Sequence, residues 1–187
     1  LLRKLCDQCL CSRRVADLGP GNEIRKEYLD GNIKFSHFDK KKIGTNSYDL
    51  CLGNELIFYE EEILDVKKNN KYKTIEIPDE GILIPQYSFC LGASSIKFGS
   101  DCYAPIIHGK STTARMGLFV HITADLIDIG FYGSSTFQLY NLLPIKLYKG
   151  MPIGQVSFRK PQGKINLYNG KYQGSNRPMA SKIYKDF

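Results

Sequence analysis

At 187 residues, with 42% hydrophobic side chains, the chain is of a size for one domain with a core of its own. A net charge of +7 and a pI near 9.0 predict an anionic partner, which nucleotide, nucleic acid or membrane surface would each satisfy. No apolar run reaches the roughly eighteen residues that a helical membrane span needs.

The first stretch, residues 1–14, is broken by charge and has no continuous apolar centre, so it does not read as a signal peptide and a cytoplasmic protein is expected. It also carries Cys6, Cys9 and Cys11. A zinc site would need a further ligand pair at regular spacing, and only His37 is near in sequence, so no metal is expected there. Residues 1–21 read as an extension of unknown role, and residues 22–187 as a single β domain. After Gly19-Pro20-Gly21, Asn22 is placed to cap a short helix with Ile24, Tyr28 and Leu29 on one face, stopped by Asp30-Gly31. The lysines at 40–42 and 67–73, set among turn formers, read as solvated loops.

Beyond the helix the apolar pattern changes to period two. Strands are predicted around Tyr48–Leu52, Leu56–Tyr59, Thr74–Ile77, Gly81–Ile84 and Phe89–Leu91. Further ones follow at Leu118–Thr123, Ser135–Tyr140, Ile145–Tyr148, Ile153–Phe158 and Ile165–Tyr168. Many short strands divided by Gly, Pro and Asn turns predict an all-β protein, a distorted barrel or jelly-roll-like double sheet, with one short N-terminal helix.

The chemistry concentrates in Gly109-Lys110-Ser111-Thr112-Thr113-Ala114-Arg115-Met116-Gly117 and in the run from His121 to Gly133. A glycine, two cations and three hydroxyls within seven positions make a turn able to present N–H groups and positive charge to a phosphate chain. A solvated surface turn has the same composition. A Walker loop is excluded, because the residues before Gly109 supply no glycine at the required spacing. An apolar run leads from His121 into Asp128 and the Gly130-x-x-Gly133 turn, which places a carboxylate at an expected strand end. His121 itself is expected to be a packed, hydrogen-bonded histidine.

Several of these motifs, in this order and spacing, resemble the dCTP deaminases, a family that shares its fold with the trimeric dUTPases. They are Asn46-Ser-Tyr-Asp-Leu50, Gly109–Gly117, His121-Ile-Thr-Ala124, Ile127-Asp128-x-Gly130, Gln138-Leu-Tyr-Asn141, Gly150-Met-Pro-Ile-Gly-Gln155, Lys171-Tyr-Gln-Gly174 and the ending Ser181–Phe187. The resemblance implies a dUTPase-type β fold and conversion of dCTP and water to dUTP and ammonia, without protein-bound metal. The sequence agrees independently, since the His-x-Glu and Pro-Cys-x-x-Cys patterns of zinc deaminases are missing.

By the same resemblance, Ser111 and the backbone around Ala124 would place the attacking water, while Arg115 steadies the active-site network. Lys110, Thr112 and Lys171 would bind phosphate, Tyr168 would lie near the sugar or phosphates, and Asp128 would touch the deoxyribose. Mg²⁺ would arrive with the triphosphate. The partners implied are dCTP, dUTP or dTTP, and further copies of the chain in a homotrimer with sites at subunit boundaries; neither membrane nor nucleic acid is expected.

This chain departs from the family pattern in places. Gln138 falls where the family has its proton-shuttling glutamate, and an amide neither accepts nor releases a proton near neutral pH. Loss of a general acid/base typically costs about 10² to 10⁴ in rate. Lys110 stands where arginine is usual, keeping charge but giving up the bidentate fork. Ser175 stands where the family commonly has a glutamine that helps close a lid. Two alternatives therefore stay beside deamination: a dUTPase in which Asp128 activates water, and a nucleotide-binding or regulatory homologue without turnover.

Overall fold

A computed structural model describes residues 19–187. The Cys6, Cys9 and Cys11 cluster and most of the 1–21 extension lie outside the described residues.

The chain opens with helix α1 (Gly21–Leu29). Its N-cap is Pro20 and not the expected Asn22, and no side chain caps the first turn; the Gly21 N–H donates instead to the Thr45 carbonyl at 2.7 Å. Of the expected apolar face, Ile24 is fully buried and Tyr28 stacks on Phe38 at 4.2 Å, but Leu29 is exposed.

The rest is β structure: β1 (Ile33–Phe35), β2 (Tyr48–Cys51), β3 (Glu55–Tyr59), β4 (Tyr72–Glu76), β5 (Ile82–Ile84), β6 (Phe89–Ala93), β7 (Phe98–Ser100) and β8 (Ala104–Gly109). A one-turn helix α2 (Ser111–Ala114) then precedes β9 (Leu118–Phe119), β10 (Tyr132–Gly133), β11 (Thr136–Asn141), β12 (Ile145–Leu147) and β13 (Pro152–Arg159). Short 3₁₀ turns cover Lys40–Lys42 and Ile183–Asp186.

The strands form four antiparallel sheets in the orders β1-β7-β10, β4-β3-β6-β11-β9, β12-β5 and β2-β13-β8. They wrap a main hydrophobic cluster, with a small second one at Ile57, Leu91 and Ala180, and do not close into a barrel. The alternating burial of β11 shows the predicted period: Phe137, Leu139 and Asn141 face inward, Thr136, Gln138 and Tyr140 outward. Tyr48, Leu50, Phe98, Phe137 and Phe158 are fully buried at the centre, each such burial contributing roughly 1.5–3 kcal/mol. The Tyr48 hydroxyl, which would be costly to bury alone, accepts from the Asp39 N–H at 2.9 Å.

Four short strands escaped the period-two pattern, and two predicted ones are altered. β1, β7, β8 and β10 are too short or too uniformly apolar to alternate visibly. β8 contains Pro105, which it tolerates as an edge strand of its sheet. Its free edge is covered by the segment from Asp125 to Ile127: Ile107 N–H donates to Asp125 O at 2.8 Å and Ile127 N–H to Pro105 O at 2.9 Å. The strand expected over Leu118–Thr123 stops at Phe119, and Ile165–Tyr168 is irregular, lying exposed except for Tyr168. No helix among the described residues is long and apolar enough to cross a membrane.

Candidate functional site

The stretch expected to be an open anion-binding turn is a compact one. β8 ends at Gly109, Lys110 stands at the N-cap of α2, and Thr113 is buried, its hydroxyl donating to Lys110 O at 2.9 Å and Ile153 O at 3.2 Å. That anchors the turn on β13 and leaves Ser111, Thr112 and Arg115 on the exposed side. Lys110 is half-buried, and its ammonium is paired with the Asp49 carboxylate.

From Gly117 the chain passes through β9 and then runs irregularly from His121 to Phe131, so Asp128 sits on a loop and not at a strand end. The loop is nevertheless held firmly. Leu126 bridges to Ile106, Gly130 N–H donates to Ser100 O at 2.7 Å, and Phe131 N–H returns to Asp128 O at 3.1 Å. Gly130 has φ +93°, and a Cβ there would fall 2.8 Å from both Leu167 Cβ and Tyr168 N, so a glycine is required twice over. His121 is half-buried, but its Nδ1 is buried without a hydrogen-bond partner, against the expectation of a fully bonded core histidine.

Gln138 is half-buried on β11, opposite Leu91 of β6. Its Oε1 accepts from the Ile122 N–H at 3.2 Å, which ties the amide to the loop leading to Ala124. Facing this sheet is the C-terminal segment, residues 165–182, folded across the loop and β11 as a strap. Tyr168 packs edge-on against Phe131 at 6.1 Å, and its hydroxyl accepts from the Tyr172 N–H at 3.1 Å. Ser175 is buried, donating from Oγ to Ser134 O at 2.7 Å. Further along, Met179 N–H donates to the Thr136 hydroxyl and Ser181 N–H to the Tyr59 hydroxyl.

Between strap, loop and sheet lies a cavity of about 430 Å³, within the range of small-molecule sites. Ala124, Asp128, Gln138, Tyr168 and Ser175 all line it. Ser111, Thr112, Lys110 and Arg115 do not. Lys171 also lies outside the lining; its Nζ binds Asp186 at 2.5 Å, and this bond holds its ammonium above the usual lysine range. Phe131, Ser134, Tyr172 and Met179 line the cavity without having been singled out by sequence. The only signal for them was position: Phe131 follows the Asp128-x-Gly130 motif, and Tyr172 lies inside Lys171–Gly174.

A family model of dCTP deaminase-like proteins matches residues 18–161. The chain belongs to the dCTP deaminase-like family. The dUMP-forming dCTP deaminase of Clostridium beijerinckii is 42% identical over 168 residues, 89% of this chain and 96% of the relative. The protein of the same name from Cytophaga hutchinsonii is 38% identical over the same coverage. Among solved structures, the 2'-deoxycytidine 5'-triphosphate deaminase of Agrobacterium tumefaciens superposes with a TM-score of 0.62 at 16% identity, a likeness of fold. That alignment covers 82% of this chain and about half, 51%, of the other. Tyr168, Lys171 and Ser175 lie past the end of the family match, on the strap.

Proposed function

We propose that this protein binds dCTP and hydrolyses it to dUMP, ammonia and pyrophosphate, two waters being consumed. The observation that carries this reading is that Ala124, Asp128 and Gln138 line one cavity beneath the strap. The expected end product was dUTP; the dUMP-forming names of the relatives from Clostridium beijerinckii and Cytophaga hutchinsonii favour cleavage beyond it.

In this reading the pyrimidine lies toward Gln138 and the Ala124 backbone, with a water held for attack at C4. The Gln138 amide orients base and water by hydrogen bonds, and because it carries no proton between them the deamination step is slow. Asp128, an exposed carboxylate on the cavity wall, meets the deoxyribose and serves the second water, which splits the bond between the α and β phosphates. Mg²⁺ carried by the triphosphate would neutralise charge on its oxygens. Lys171 exchanges Asp186 for phosphate.

Lys110, Ser111, Thr112 and Arg115 reach the nucleotide from a neighbouring copy in a homotrimer. Two features favour this: Ser111, Thr112 and Arg115 are exposed beyond the cavity of their own chain, and Met116, Phe119 and Ile122 beside them expose apolar surface. Gln138 also favours a second reading, a nucleotide-binding homologue without turnover. Purified protein incubated with Mg²⁺ and either dCTP or dUTP separates the two. Ammonia and pyrophosphate from dCTP support the first reading; tight binding with neither product supports the second; no binding of either nucleotide overturns both.

A further inference from the structure

We propose that Gln173 is a positioning residue: its side chain clamps the strap to the turn that carries Asp128, and so sets the shape of the nucleotide cavity. The strap follows the turn as a broken ladder. At one end Tyr168 N–H donates to Ile129 O at 2.8 Å; at the other Gly174 N–H donates to Tyr132 O at 3.1 Å and Ser134 N–H to Ser175 O at 2.8 Å. Between these the strap turns away, closing on itself through Gln173 N–H to Gly170 O at 3.1 Å. Across this gap between Tyr168 and Gly174 the strap N–H groups of Tyr172 and Gln173 are turned to other partners, the Tyr168 hydroxyl and Gly170 O.

The Gln173 amide fills the gap. Its Oε1 accepts from Tyr132 N–H at 2.8 Å, and its Nε2 donates to Gly130 O at 2.8 Å and, at the 3.5 Å limit, to Tyr168 O. A carboxamide offers donor and acceptor on one rigid plane, which is what a missing strand would offer the edge of β10. The other edge of β10 is already paired with β7, so the amide adds to the backbone bonds at either end of the gap and ties Gly130 O and Tyr132 N–H to the strap. The groups so fixed are the neighbours of the proposed chemistry: Gly130 and Tyr132 bracket Phe131, three residues past Asp128, and Phe131, Asp128 and Tyr168 all line the cavity. Gly130 lies so close to Leu167 and Tyr168 that a Cβ there would fall 2.8 Å from Leu167 Cβ and Tyr168 N.

The inference rests on the nucleotide reading above, and its test separates the two. Gln173→Ala is compared with wild type and with Gln162→Ala, an exposed glutamine remote from the cavity lining. Three quantities are measured: amide hydrogen exchange at Tyr132, the dissociation constant of α,β-imido-dUTP with Mg²⁺, and the thermal midpoint. Loss of the two short bonds is expected to speed Tyr132 exchange and weaken nucleotide binding by about tenfold each in Gln173→Ala, with Gln162→Ala unchanged. The midpoint is expected to stay near that of wild type, because neither hydrophobic cluster contains Gln173 or the turn it binds. Wild-type exchange at Tyr132 in Gln173→Ala overturns the clamp. Faster exchange with unchanged affinity overturns its positioning role. If wild type binds no nucleotide, the role falls with the nucleotide reading, and the exchange comparison still decides whether the clamp exists.

Discussion

Gln138 and Asp128 face one cavity from different elements, and their chemistries differ. A carboxylate can serve as a general base; an amide cannot. Asp128→Asn is therefore expected to lower pyrophosphate release from dUTP by about 10²-fold or more, measured by a coupled pyrophosphate assay, while leaving nucleotide affinity within a few-fold. Preserved turnover would assign the water to another group. At this scale the sequence was informative where residue type carries the chemistry. Ala124, Asp128, Gln138, Tyr168 and Ser175, named through the resemblance, line one cavity, while Lys110, Ser111, Thr112, Arg115 and Lys171 do not. It was uninformative where a residue acts through backbone groups. Gln173 is an ordinary polar residue in sequence, and only the path of the strap gives its amide three backbone partners.

Elements joined by alternating patterns were legible, and those fixed by tertiary pairing were not. β11 alternates throughout, and β13 does so from Gly154 onward, past its bulge. β10 has two residues and exists because β7 lies beside it, while the His121–Phe131 loop mimics an apolar strand but is held by bonds to β8 and β7. That loop depends on Gly130: Gly130→Ala, with φ positive and its Cβ in contact with the strap, is expected to cost about 1–3 kcal/mol, read by urea unfolding, and to displace Tyr168. Asn141 plays a matching part on the other side of the sheet. It is buried, and its Nδ2 donates to Pro85 O and Leu143 O at 2.7 Å each. Asn141→Ala strands those carbonyls and is expected to cost about 1–3 kcal/mol in the same measurement. An unchanged midpoint in either variant would remove the argument for that position.

For the whole molecule, folding confines protonated groups that deprotonate freely in the unfolded chain. Burial pushes the Cys90 thiol up to about 12, and burial with a hydrogen bond to Glu27 raises the Tyr103 phenol to about 12. Folded values above the unfolded ones mean that this stabilisation is complete below about pH 8.5, the unfolded thiol value, and is lost as pH rises toward 12. Thermal midpoints are expected to fall across that window, and less steeply in Tyr103→Phe. At the same scale the exposed Arg115 group and the Asp128 cavity are halves of one proposed site. Mixing inactive Arg115→Ala and Asp128→Asn chains, unfolded and refolded together, is expected to restore a fraction of activity through hybrid trimers; mixtures with no activity would place both halves within one chain.

The most direct test compares wild type with Gln138→Glu on dCTP, following ammonia release. A cavity built for deamination and short only of a proton carrier predicts that the glutamate variant releases ammonia about 10² to 10⁴ times faster than wild type. Ammonia release equally slow or absent in both proteins would contradict the assignment of this cavity to dCTP.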